Sequence, residues 1–457
     1  MASSVGVSPS PGTGAPAVRR ASRLSRVDAA STPGRLLLLL IGLVVLSLTW
    51  GVLAALTADQ HGSAAADVVA VSEPLSLDAE QIFQSLSDAD ATAATAFLSG
   101  GLEPAAARQR YDADINQAAI RIEAASALEG SSAARTQRPS RLNEQASAAG
   151  SATGDDLATL SAGLPVYTDE VGTARADNRL GLPLGAAYLR EASALLRGTL
   201  LPASSDIYTK QSQLLTSASA QATGLPLIVV AVVFGLGAGY VLYRSSRWLT
   251  RRTRRRVNYG LLVAALAGFV SLVWLASAFA VGRTELLDAQ QHGSAQAAAF
   301  ARADVTALQA HADESLTLID NSGNDSYQQD FIAEQKLLGP GPGTLLAEVA
   351  ASGASGRAAA ADAQAWYRAH TALRALDNSG NHPAAVRSAL EGPAAVSFAR
   401  LSADLSNGIN ASQAVFASHA RGGRDAFTGL AVGMIVASLI MAVGCTWGLN
   451  RRLAEYR

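Results

Sequence analysis

Four stretches of the chain, 36–56, 225–243, 261–281 and 427–449, contain no charged side chain. Each is long enough to cross a bilayer, since about 20 residues rising about 1.5 Å apiece span a hydrocarbon core of roughly 30 Å. Between these stretches the pattern changes. Apolar residues recur at three- and four-residue steps, as in Ile115, Ala118, Ala119 and Ile122, or Leu189, Ala192, Leu195 and Leu196. That is the spacing of one helix face. Alanine, leucine, glutamine and arginine are frequent and β-branched runs are rare, so helix propensity agrees with the periodicity. Turn-forming clusters interrupt it at Ser99-Gly100-Gly101, Gly150 through Gly154, Gly181-Leu182-Pro183, Asn321 through Asn324 and Asn378 through Pro383. The pattern predicts three or four helices in each intervening segment, folded as an antiparallel bundle standing on the membrane.

Charge orients these pieces. The residues before the first span carry five arginines and one acid, the loop 244–256 carries seven arginines and no acid, and the last residues carry three arginines and one acid. The long segments are the reverse, with 20 acids against 11 bases over 57–224 and 15 against 10 over 282–426. Arginine on short flanks stays cytoplasmic, so the pattern predicts both termini and the short loop inside and both long segments outside, in the cell membrane. The first apolar run exceeds a signal-peptide core of about 7–15 residues, and Leu56 is a poor residue three before a cleavage point, so it reads as an anchor.

The expected fold class is an all-α integral membrane protein, with four transmembrane helices and two tandem extracytoplasmic antiparallel helical bundles. Its order is a Pro-, Ser- and Gly-rich disordered tail (1–34), a span (35–57), a bundle (58–224), a span (225–243), an arginine-rich loop (244–256), a span (257–281), a second bundle (282–426), a last span (427–449) and a short tail (450–457). The second unit repeats letters of the first. QHGSA occurs at 60–64 and again at 291–295, each just past a span. Tyr167, Asp177, Asn178 and Pro183 match Tyr367, Asp377, Asn378 and Pro383 at an offset of 200, and Tyr111 and Asp114 match Tyr327 and Asp330. This reads as an internal duplication. His61 and His292 then mark equivalent seams where a helix leaves the lipid, with Gly62 and Gly293 allowing close approach. A metal at Asp288 and His292 is the sharper alternative, weakened because Thr57 replaces the acid in the first copy.

Candidate chemistry is sparse. The spans hold no acid, base or histidine, which argues against a permeation path. No phosphate loop, zinc-protease motif or nucleophile elbow occurs, so the expectation is a non-enzyme with no cofactor and no metal. The one cysteine, Cys445, lies in an apolar run, which excludes an internal disulfide. The densest charge is in Arg244, Arg247, Arg251, Arg252, Arg254, Arg255 and Arg256. Such a loop holds topology and touches anionic lipid at about 1 kcal/mol per basic residue, or docks an acidic cytoplasmic partner. Nucleic acid is excluded, because no reading module accompanies the charge. Basic-directed serines at 22 and 25 are candidate phosphorylation sites in the tail. Asp177, Asn178, Asp377 and Asn378 are candidates for an outer docking surface, although turn chemistry alone favours them there. Glycines four apart at 235 and 239, 429 and 433, and 444 and 448 suit packing within the chain or homodimerisation.

The whole-chain layout resembles the GlnX-type four-pass membrane proteins of high-GC Gram-positive bacteria. The likeness rests on the arginine-bearing tail, the twice-repeated span–bundle–span unit, the short arginine loop, the stub NRRLAEYR and segments such as VGTARADNRLGLPLGAAYLREAS. The resemblance implies a relay: an extracytoplasmic solute-binding lipoprotein of the GlnH kind, loaded with an acidic amino acid or amide, docks outside, and a cytoplasmic serine/threonine kinase of the PknG kind receives the state inside. It assigns no individual residue. A direct small-molecule or envelope-stress sensor and a structural membrane scaffold are the readings from other classes.

Overall fold

The structure, a computed structural model, describes residues 32–67, 73–101, 103–135, 141–223, 226–253, 258–320 and 325–453. The expected disordered tail up to residue 31, the tail serines, Arg254 to Arg256 and the Asn321–Asn324 turn fall outside them. No strand occurs among the described residues, and four helices are long and apolar enough to cross a membrane. The chain is an all-α membrane protein.

Helix α1 (Thr32–Asp67), α7 (Pro226–Thr253), α8 (Tyr259–Asp288) and α15 (Leu430–Leu453) form the spanning sector. They share a core that includes Leu43, Trp50, Leu275, Met434 and Met441. Small residues set their spacing. A Cβ on Gly260 of α8 would stand 2.5 Å from the backbone of Gly444 and Gly448, so these two helices touch main chain to main chain. Trp50 lies over Gly235, and Trp274 lies over Gly433, so each two-span unit seats a tryptophan of its first span on a glycine of its second. Trp50 also donates to Ser271 Oγ at 3.0 Å, satisfying an indole N–H that lipid would leave bare. Gly235, Gly433, Gly444 and Gly448 therefore serve packing within the chain.

The remaining helices build one body. In the first half, α2 (Glu73–Leu98) is followed by α3 (Ala105–Arg135), α4 (Arg141–Arg179), α5 (Leu184–Leu195) and α6 (Leu201–Thr223). The second half comprises α9 (Ala295–Ile319), α10 (Ser326–Leu338), α11 (Leu345–Ala351), α12 (Ala354–Asn378), α13 (His382–Leu390) and α14 (Pro393–Asp425). The expected break at Gly150–Gly154 is absent: α4 runs through it, because an isolated glycine costs a helix only about 1 kcal/mol and tertiary packing of Thr153 and Leu157 outweighs that. The second half is more fragmented than its periodicity suggested, with extra breaks at Gly339–Gly343, Gly353 and Gly392.

The two tandem halves share one continuous hydrophobic core, from Ile82 and Leu200 to Leu316, Trp366 and Leu405. The join is α2 against α9. Gln84 meets Asp304, and Thr95 meets His311 and Ser315, so the two helices run parallel. Helix α3 returns antiparallel to α2, as Arg110 to Asp88 and Arg121 to Asp78 show.

Both QHGSA copies lie at helix–helix contacts. A Cβ on Gly62 would approach Phe427 at 3.3 Å, and one on Gly293 would meet Phe416 at 2.5 Å. His61 is buried, edge-on to Phe279 and stacked on Phe427, whereas His292 is exposed beside Asp288. Around the second copy the helix widens into a π-turn, Ala289–Ser294, without breaking. Hence α8 and α9 form a single rod of 61 residues from Tyr259 to Ile319, roughly 90 Å at about 1.5 Å per residue.

Candidate functional site

Helix α9 is the site's axis. From Ala303 to Leu318 every side chain but Gln309 is buried, so all of its faces are covered. Its sequence nevertheless carries Asp304, His311, Asp313 and Glu314, and buried polar groups must find partners. Those partners come from both halves. Asp313 accepts from Arg197 at 2.6 Å, and the same guanidinium lies 3.6 Å from Asp90, which also accepts from Ser193 at 2.6 Å. Arg197 stands in a second π-turn, Leu196–Leu200, between α5 and α6. One extra residue in a turn rotates everything after it, and such bulges gather at functional sites.

Glu314 faces the other half. Its carboxylate, with no exposed surface, accepts from His370 at 2.8 Å and from Trp366 at 3.3 Å, with His311 at 3.3 Å. Burial alone would raise its pKa; the hydrogen bonds and charge of His311 and His370 outweigh that and hold it down at about 2. Asp304 is the opposite case. Burial, with Asp88 adding, outweighs the Gln84 hydrogen bond and pushes it up to about 7. Burial likewise lifts Glu80 and Asp114 to about 7. Burial raises both Asp313 and Glu334; facing Asp313 lifts Glu334 further, whereas Asp313 is held back by Arg197 and by its hydrogen bond with Glu334. Burial also opposes the charge on Arg197, but Asp90 and Asp313 outweigh it and keep the guanidinium ionised. A second cross-half pair, Arg190 to Asp320, closes at 3.6 Å at the end of α9.

Beside this network lies a cavity of about 450 Å³ between the halves. Helices α2 and α3 form one wall, α13 and α14 the other, and His311 of α9 reaches its lining. Phe398 of α14 stacks on His311 with centroids 3.8 Å apart.

The residues singled out from sequence lie elsewhere. Arg244 and Arg247 are exposed on the last turns of α7, and Arg251 and Arg252 end that helix, so the loop is largely a helical extension of the span. Arg247 donates to Tyr243 at 3.0 Å and Arg451 covers Trp447, an aromatic and arginine rim where these helices end. Asn178 donates to Phe97 O at 2.9 Å, tying the end of α4 to the α2–α3 turn. Asp377 pairs with Arg374 at 2.6 Å and His382 at 2.8 Å. Asp177 and Leu376 each accept the closing six-residue hydrogen bond of a turn containing Gly181 or Gly380, both at positive φ. Gly380 stands 199 residues after Gly181, so the geometric register is one off the register of the matched letters.

Sequence reasoning missed Arg197, Asp313, Glu314, His311 and His370. Charges on every face of a helix read as solvation, and nothing local says that the same helix is surrounded. A low-charge helix carrying two adjacent acids and a histidine three residues before the second is the faint signal that was present.

No curated protein and no solved structure matches the chain. Residues 64–220, from the end of α1 through most of α6, match the family model of the actinobacterial sensor domain. With its four apolar helices, the chain is a membrane protein that is similar, over that stretch, to the actinobacterial sensor domain.

Proposed function

We propose that this protein is a membrane signal relay, working by binding rather than catalysis. Its fused helical body lies outside the cell, takes up the state of an extracytoplasmic solute-binding lipoprotein, and hands it to a cytoplasmic serine/threonine kinase at the arginine-bearing end. One observation supports this above the others: the unbroken α8–α9 rod has one end in the membrane and the other caged by both halves of the body. A rearrangement that changes how the halves grip Asp313 and Glu314 must move or strain that rod, because packed helices switch between discrete arrangements rather than deform smoothly. Arginine flanks support the orientation. Arg244 and Arg247, exposed beyond the apolar stretch of α7, offer the inner contact, to anionic lipid or to an acidic partner surface.

The relay requires differential binding outside to bias the two arrangements. Crosslinking on intact cells, followed by affinity capture of the full chain, should recover a solute-binding lipoprotein from the outer face and a kinase from the inner face. Recovery of neither, or protease access to the body only after lysis, would sink the proposal.

A further inference from the structure

We propose that the cavity between the two halves binds a small organic cation, an ammonium group on a short apolar body, independently of any docking partner. At about 450 Å³ the cavity falls in the size range of small-molecule sites, about 300–1,000 Å³. Its apolar walls are made largely by truncated side chains, among them Ala91, Ala107 and Ala395, with Phe398 on the α14 side. Its polar lining includes Thr92, whose hydroxyl can accept a hydrogen bond, and Thr95, whose hydroxyl already meets His311 and Ser315.

Charge selects the class. Arg110 lines the cavity, but its Nη2 is already bonded to both oxygens of Asp88 at 2.9 Å, and Asp114 and Asp304 add to the negative field on it. His311 is held by Glu314. Glu391, on the opposite wall, is exposed and makes no ion pair among the described residues. An anion could reach only the Nη1 side of Arg110, and there it would meet the negative field of Asp88 and Glu391. An ammonium meets Glu391 and the Thr92 hydroxyl without breaking a pair, and a low-dielectric cleft concentrates the excess negative field. Because α2 and α3 supply one wall and α9, α13 and α14 the other, occupancy also bears on how the halves hold the rod.

The test uses the full chain in phosphatidylcholine nanodiscs. Phenethylammonium is titrated beside its neutral and anionic counterparts, 2-phenylethanol and 3-phenylpropanoate, with calorimetry as the readout. The cation should bind saturably and about tenfold or more tighter than either counterpart, the scale of one favourable charge contact. Glu391→Gln, at an exposed position, should weaken the cation about fivefold or more without changing the melt. Ala395→Leu should narrow the cavity and weaken binding of all three probes. Asp88→Asn should release Arg110 and invert the order, so that 3-phenylpropanoate outbinds the cation. Equal affinity for the three probes, no saturable binding, or full binding in a normally melting Ala395→Leu variant would each overturn the assignment.

Discussion

Replacing Arg197 with methionine removes the guanidinium that Asp90 and Asp313 share across the two halves. Asp313 has no exposed side-chain surface and Asp90 only 4%. Methionine fills much of the arginine stem but leaves both carboxylates uncompensated, and breaking a buried ion pair from one side costs about 3–5 kcal/mol. For a body of this size about 1 kcal/mol lowers Tm by roughly 2 °C, so the full chain should melt about 6–10 °C lower near pH 7.5. The deficit should shrink toward pH 5, because the stranded acids then take up protons instead of staying charged. Adding Asp313→Asn should recover part of the loss, with a coupling of about 0.5–3 kcal/mol in the double-mutant cycle. The assay is thermal unfolding in nanodiscs, followed by circular dichroism. A shift below about 2 °C, or a double variant no better than the single, would refute the claim that this pair fastens the halves together.

Glu314→Ala strands the histidines and Trp366 that share one acceptor, and should cost about 3 kcal/mol or more; Glu314→Gln, keeping an acceptor, should cost less, and equal melts would remove the proposed role. Asp304, Asp114 and Glu80 bind protons more tightly folded, at about 7, than unfolded, so their contribution is full below about pH 4 and is lost as pH rises through 7. Glu314 works the other way, its contribution present above its unfolded value and lost as pH falls toward 2. The Tm profile should therefore peak in mild acid, and Asp304→Asn should flatten its alkaline limb. Gly444→Leu should separate α8 from α15, since a Cβ alone would already stand 2.8 Å from Gly260 O; unchanged melting and unchanged crosslinking between cysteines on those helices would count against the close crossing.

Hydrophobic pattern and arginine placement carried the four spans and the helical body, because lipid acts on each segment separately and each segment's own letters answer it. Helix ends were legible where a turn needs positive φ, as at Gly181 and Gly380, and illegible where packing overrides a local preference, as at Gly150. The site was another matter. Asp313 and Glu314 sit in a stretch whose charges look like those of any solvated helix. What turns them into a buried network is that α2 from one half, with Arg197 from the π-turn between α5 and α6, and α10, α12 and α14 from the other, close around α9. That enclosure involves residues more than a hundred positions apart, Arg197 with Asp313 among them. The cost of burying a charge depends on everything that surrounds it, so only the assembled tertiary structure determines which acids are paired, which are protonated, and where space is left between the halves.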